Sequence, residues 1–329
     1  MAQASRGTSS LIDWKEVNAS GPARAFHTGC VIGNSFYIHG GIMTKDSKDP
    51  SSSLFQLNPS SFTWSEVSFP GSPSLSHHAS VALSNRYFVL IGGWNGKSRT
   101  ADIFVFDTQK SLWIKPKVSG FPEGGGLSSH TATLLDNGEI LILGREGSLR
   151  TQRRHGSGYV LTGSVESGQF TYREYTQATA SRSGHTATIV GNKLYIVGGR
   201  DNNLIERHQG FKSGESSNVP ATKKLADAID KLESMAKYPG GRKNHIAIGG
   251  PGVLFLHGGE TFDGRSREPV GEMFLYGEKP VLSFYKIGNS AVGRAGHVCA
   301  VKDDKILIHG GTGGRSTIYG NTFQLTFNF

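Results

Sequence analysis

Phe36-Tyr37-Ile38-His39-Gly40-Gly41 is an apolar run stopped by two glycines, and it returns five more times along the chain. The copies are Phe88-Val89-Leu90-Ile91-Gly92-Gly93, Ile140-Leu141-Ile142-Leu143-Gly144-Arg145, Leu194-Tyr195-Ile196-Val197-Gly198-Gly199, Leu254-Phe255-Leu256-His257-Gly258-Gly259 and Ile306-Leu307-Ile308-His309-Gly310-Gly311. The first glycines stand at 40, 92, 144, 198, 258 and 310, so the spacings are 52, 52, 54, 60 and 52 residues. A histidine precedes each by 13 or 14 residues: His27, His78, His130, His185, His245 and His297. In four copies an arginine lies three residues before that histidine, at Arg24, Arg182, Arg242 and Arg294, whereas Leu75 and Leu127 hold the place in the other two. Two features kept at one offset over six copies define a repeated structural unit.

Each unit reads as four strands. Strand a starts at the histidine, as in His185-Thr186-Ala187-Thr188-Ile189-Val190, and a Gly-Asn turn leads into strand b, the run before the glycines. Both are apolar on both faces, as strands buried on two sides are. Strand c follows a polar loop (Ile103-Phe104-Val105-Phe106-Asp107), and strand d carries an aromatic (Trp64-Ser65-Glu66-Val67). Four strands in about fifty residues is a propeller blade, whose faces are buried only when blades pack radially. The expectation is an all-β, six-bladed propeller over residues 11–329, behind a flexible segment 1–10. The last blade has a strand c, Thr322-Phe323-Gln324-Leu325-Thr326-Phe327, and nothing after it; Trp14-Lys15-Glu16-Val17 matches Trp64-Ser65-Glu66-Val67. Residues 11–18 are therefore expected to complete blade six and remove its open edge.

The glycine pair with spaced aromatics at this period resembles the kelch repeat, and the resemblance covers residues 11–329. Arg24-Ala25-Phe26-His27, Gly126-Leu127-Ser128-Ser129-His130, and Gly144-Arg145-Glu146-Gly147 followed by Thr151-Gln152-Arg153-Arg154 resemble one small subfamily of intracellular partner-binding proteins. That resemblance implies a cyclin-type partner.

Blade four departs from the pattern. From Gly199 to His245 there are 46 residues, against 37 from Gly41 to His78. Glu206–Lys212 is readable as strand c, but strand d is not. In its place Leu225, Ile229, Leu232 and Met235 recur at helical spacing and Pro239-Gly240-Gly241 ends the run, so a helix is expected over 222–237 within an irregular insertion at about 200–240. It is expected to cap the outer edge of blade four, with a docking role as the alternative.

Composition narrows the function. The chain has 329 residues and 45 glycines, without collagen's strict period. Its charge is 35 − 26 = +9, which suits acidic partners in general. Two cysteines, Cys30 and Cys299, and the lack of an apolar leader point to a reducing, cytoplasmic setting, with attachment to a cytoskeletal or ciliary assembly as a variant. No apolar run approaches the roughly 18 residues of a membrane span. Aromatics do not interleave with the basic loops, which argues against nucleic acid. The protein is expected to be monomeric alone.

No catalytic constellation is visible, and no cofactor or metal is expected. His-Glu-x-x-His and Gly-x-Ser-x-Gly are absent, and Gly96-Lys97-Ser98 lacks the first glycine of a phosphate loop. The six histidines recur because the unit recurs, and blades set around an axis hold them too far apart for one ion. The arginines are the candidate site. Strand a begins and strand b ends on one face, so Arg24, Arg145, Arg182, Arg200, Arg242 and Arg294 are expected near the channel mouth, with Arg153 and Arg154 in a surrounding loop. Guanidinium forks suit carboxylates. Kelch domains that capture acidic peptides use arginines at these two places, and the resemblance carries that role to Arg182 and Arg200. The expected function is a non-catalytic scaffold or adaptor that binds an acidic or C-terminal carboxylate segment on this face. A structural subunit of an assembly such as a ciliary axoneme is one alternative. A ubiquitin-ligase substrate receptor is another, although the ten residues before the first strand leave no room for the box such receptors carry.

Overall fold

A computed structural model describes residues 11–146, 158–177, 179–215, 219–278 and 281–328. The protein is all-β and propeller-like, with one helix among the described residues. Every repeat forms its own antiparallel sheet, in the order a-b-c-d except in the fourth, where a-b-c are described. The first is Thr28–Ile32, Ser35–His39, Leu54–Asn58 and Thr63–Val67; the second is Ala79–Leu83, Tyr87–Trp94, Arg99–Asp107 and Leu112–Ile114. The third is Thr131–Leu134, Ile140–Leu143, Gly158–Ser164 and Gln169–Glu174, with Lys117–Ser119 added in parallel at its edge. The fourth has three strands, His185–Val190, Lys193–Gly198 and Ile205–Gln209. The fifth is Ile246–Gly250, Val253–His257, Glu272–Glu278 and Leu282–Asn289. The sixth is Val298–Lys302, Lys305–His309 and Thr322–Phe327, and its outermost strand is Ile12–Asn18, paired from Ile12↔Phe327 to Asn18↔Thr322.

Strand b is the most deeply buried element of each unit; Phe88, Val89, Leu90 and Ile91 are all fully buried. The glycine pair that ends it lets neighbouring units meet. Gly310 has φ +71°, and a Cβ there would lie 2.6 Å from the Arg24 carbonyl and 2.8 Å from the His27 ring. The next residue turns its amide onto the neighbour: Gly41 to Leu75 O, Gly93 to Leu127 O, Arg145 to Arg182 O, Gly199 to Arg242 O, Gly259 to Arg294 O and Gly311 to Arg24 O, at 2.7–3.1 Å. A second set joins the residues that precede the six histidines. His77 N donates to Phe26 O, Ser129 N to His77 O, Gly184 N to Ser129 O, Asn244 N to Gly184 O, Gly296 N to Asn244 O and Phe26 N to Gly296 O. These six bonds form an unbroken ring, and every member takes a positive φ between 53° and 68°. Non-glycine residues adopt that region at a cost, which the hydrogen bonds offset. Gly310→Ala adds both the unfavourable φ and the clash with Arg24 O. It is expected to cost about 1–3 kcal/mol or more, read as a lower denaturation midpoint; Gly314→Ala, which meets nothing within 4 Å, is the neutral comparison.

The irregular insertion is shorter in helix than its periodicity suggests. Helix α1 runs over Pro220–Ile229, with Pro220 in the first turn, where its missing N–H costs nothing. Leu225 and Ile229 are buried as expected, but the helix ends at Asp230. Leu232 and Met235 are used in irregular chain instead: Met235 N bonds Phe284 O at 2.7 Å and the Tyr238 ring packs on Phe284 at 4.3 Å. The helix also sits elsewhere than expected. It packs against strands a, b and c of the fifth unit, with Ile229 over Gly277 and Ala221 N bonded to Asp303 O of the sixth. The outer edge of the fourth unit is not what it covers.

Candidate partner-binding face

Strands alternate in direction, so the turns entering strand a and leaving strand b gather at one end of every unit. Arg24, Arg182, Arg242 and Arg294 lie there, but turned inward, at 1–4% exposure. Each donates Nη1 to the carbonyl of the first glycine 16 residues later: Gly40 at 2.9 Å, Gly198 at 2.8 Å, Gly258 at 3.0 Å and Gly310 at 2.9 Å. Nη2 of three of them meets an acceptor beside strand c: Glu206 at 2.5 Å for Arg182, Glu272 at 2.9 Å for Arg242 and Asn321 at 2.9 Å for Arg294. Arg24 adds Ser51 Oγ at 3.3 Å. The Arg24, Arg242 and Arg294 guanidiniums also lie over Phe55, Phe274 and Phe323, at 4.7–5.0 Å. Burial lowers Arg24 and Arg294 to about 10, leaving both charged at neutral pH. Burial opposes the charge on Glu206, but the Ala180 amide and Arg182 prevail and hold its carboxyl below the usual range.

Arg145 is 3% exposed, beside the Phe121 ring at 5.8 Å. Arg24, Arg145, Arg182, Arg242 and Arg294, expected near the channel mouth to take a partner's carboxylate, are instead turned away from solvent at 1–4% exposure. They are buried within their units, and the four repeated ones pin strand a to the end of strand b. Arg200 differs: it is half-buried, and its guanidinium reaches Ser181 O at 3.5 Å. Arg153 and Arg154 lie outside the described residues.

The histidines cross-link units. Nε2 of His78 lies 2.9 Å from His39 Nδ1 and that of His297 2.9 Å from His257 Nδ1. His130 Nε2 reaches Ile91 O at 3.0 Å, and His185 and His245 reach Thr131 and Thr186 at 3.1 and 2.9 Å. All are buried and held far below their ordinary pKa by that burial, so they are neutral. Among the described residues no group of three or more His, Cys, Asp or Glu is placed to hold a metal ion.

The six histidines and the residues before them line an axial opening of about 170 Å³. Its rim is uneven. Phe26 stacks on His77 at 4.3 Å and its ring also covers Gly296, where a Cβ would meet it at 2.7 Å, whereas Gly184 lies across the ring from Phe26. The residues two beyond each first glycine, Ile42, Trp94, Glu146, Arg200, Glu260 and Thr312, end or follow strand b at the same end of their units, with Ile42 and Thr312 buried. Glu146 accepts from Ser129 at 2.7 Å, Ser128 at 2.9 Å and Arg99 at 3.2 Å, and Asn244 donates to Glu260 at 3.0 Å. Of these six, sequence reasoning singled out Arg200 alone, because the members share a position and not a chemistry; the offset from the glycine was the available signal for the rest. A separate cavity of about 690 Å³ is lined by strand-a residues of all six units, including Cys30 and Cys299, whose thiols burial pushes up to about 12. Ser213, Glu215, Val219 and Thr222 also line it.

Comparison with known proteins places this architecture. Residues 8–199 match the family model described as the KLHDC2/KLHL20/DRC7 Kelch-repeats domain. The chain is 30% identical over 309 residues to human Kelch domain-containing protein 9, covering 88% of each. It is 24% identical over 324 residues to rat Kelch domain-containing protein 3, covering 92% of this chain and 81% of the relative. Among solved structures, the one titled "Structure of YjhT" superposes with a TM-score of 0.69 over 95% of this chain and 100% of that one, at 14% identity. No described helix is long and apolar enough to cross a membrane.

Proposed function

The chain belongs to the kelch-repeat family, whose members generally mediate protein–protein interactions, and from that premise we propose that it is a non-catalytic scaffold built as a closed six-bladed propeller. Closure is supported by the unbroken ring of backbone bonds and by the pairing of Ile12–Asn18 with Thr322–Phe327. The partner is a protein segment that is acidic or ends in a free carboxylate, and it lies across the face at the axial opening. The observation that carries this reading is the convergence of six loops on one rim where Arg200 is half-exposed and ion-paired with no described residue. The buried arginines serve indirectly, by fixing the loops that present the rim, which limits the ordering cost on binding.

Two substitutions separate the roles. Arg200→Glu is expected to leave the melting temperature near wild type and to reduce capture of an acidic partner by tenfold or more. Arg182→Ala strips a buried guanidinium from Gly198 O and leaves Glu206 with only the Ala180 amide and His208. It is expected to cost about 3–5 kcal/mol of stability, whether or not a partner is present. The check is a pull-down with the intact protein and mass spectrometry, run beside thermal melts of both variants. Full retention of the captured proteins by Arg200→Glu overturns the rim as the binding site.

A further inference from the structure

Among the described residues the fourth unit ends at its third strand, Ile205–Gln209, while the other five each carry a fourth. The pairing Val197↔Ile205 to Lys193↔Gln209 is bracketed by Gly198 N to Leu204 O at 3.2 Å and Gly210 N to Asn192 O at 2.9 Å. Residues alternate in such a ladder. Leu204, Glu206, His208 and Gly210 therefore turn their backbone groups to the inner strand, and Ile205, Arg207 and Gln209 turn theirs outward. No described residue bonds those outward amides and carbonyls. The chain that returns through Met235 and Tyr238 follows the fifth unit instead. A free edge one strand further in than its neighbours' leaves a slot about 4.8 Å wide.

We propose that this slot accepts an extended, acidic segment of a protein partner, which adds to Ile205–Gln209 as the missing fourth strand. The sixth unit already completes itself in this way, with a strand supplied from some 300 residues away. The margin toward the fifth unit is apolar: Ile205, Met235 and Leu282 pack in one cluster, and Tyr238 and Val281 are 63% and 67% exposed. The charge favours acid. Lys193 and Arg207 share the single carboxylate of Glu278, so the edge keeps one net positive charge on a chain of +9. This surface lies on the outer rim, away from the axial opening, and does not rest on it.

The test uses an acetylated, amidated eight-residue peptide of alternating Glu and Val, labelled for fluorescence anisotropy. Two derivatives carry N-methyl groups on alternate residues, one on each edge of the strand. Gln209→Pro removes an outward N–H without touching the inner ladder, and Gln209→Ala keeps it. The peptide is expected to bind wild type and Gln209→Ala alike and Gln209→Pro at least tenfold more weakly, with one N-methylated derivative silenced and the other not. Should Gln209→Pro fail to fold, the two derivatives decide the matter on wild type. Absence of binding, equal binding to all three proteins, or equal behaviour of the two derivatives overturns the strand addition. Equal binding of a Lys-Val peptide overturns the acidic preference.

Discussion

Acidification from pH 7 is expected to unfold the protein cooperatively between about pH 6 and pH 5, before most carboxylates titrate. Nine of its twelve histidines, at 27, 39, 78, 130, 185, 245, 257, 297 and 309, are buried, and burial depresses every one, to about 3 at His39, His245, His257 and His309 and about 4 at His130. The unfolded chain takes up protons near pH 6.5 that the folded chain refuses. Stability is therefore complete above about pH 6.5 and falls as the pH drops toward the folded values. An imidazole shifted this far forfeits about 2 kcal/mol at pH 5. His39, His130, His245, His257 and His309 together forfeit on the order of 10 kcal/mol, comparable to the 5–15 kcal/mol by which domains are usually stable, and the other four act in the same direction. Trp14, Trp64 and Trp113 lie against His257, His309 and His39 at 4.8, 4.6 and 5.5 Å, so tryptophan fluorescence follows the transition directly. A native emission spectrum at pH 4.5 would contradict the neutral, buried state of these rings.

Deletion of residues 1–20 should be the most damaging truncation. It removes a whole strand from the sixth sheet and leaves Thr322–Phe327 as an open edge, a template for association. It also removes Ile12, 4% exposed, and Trp14, which sits between His257 at 4.8 Å and Phe323 at 5.6 Å and so ties the fifth unit to the sixth. Loss of the indole alone, as in Trp14→Ala, is expected to cost about 3–5 kcal/mol, and the truncation more. Urea midpoints with fluorescence at other tryptophans measure both. A truncated chain that melts like the full one means that the N-terminal strand does not hold the ends together.

The repeat made the strand order legible, because a glycine pair and a histidine at one offset leave little freedom to the residues between them. Trp14-Lys15-Glu16-Val17 showed its pairing by likeness to Trp64-Ser65-Glu66-Val67, whose indole packs tilted against His309 as that of Trp14 does against His257. The direction of the arginines was not legible in the same way. That Arg24, Arg182, Arg242 and Arg294 stand 16 residues before a first glycine is visible in the sequence, but only geometry shows that the glycine carbonyl is their acceptor. The constancy of that distance is the mark of a structural clamp, since a partner would not need the same group in four places. The end of α1 was hidden for another reason. Leu232 and Met235 keep helical spacing, yet Phe284 offers Met235 a backbone acceptor that outweighs another turn of helix.

The antiparallel pairing of Ile12–Asn18 with Thr322–Phe327 also sets how the molecule responds to force. Ile12 faces Phe327, so the two strands enter and leave at the same end, opposite the arginine-lined face. A pull that separates residues 12 and 327 loads the pairs one after another, as a zipper opens, and does not shear all six at once. The seam is thus mechanically soft while each repeat sheet behind it stays intact, and a tether at either residue leaves the axial opening pointing away from the point of attachment.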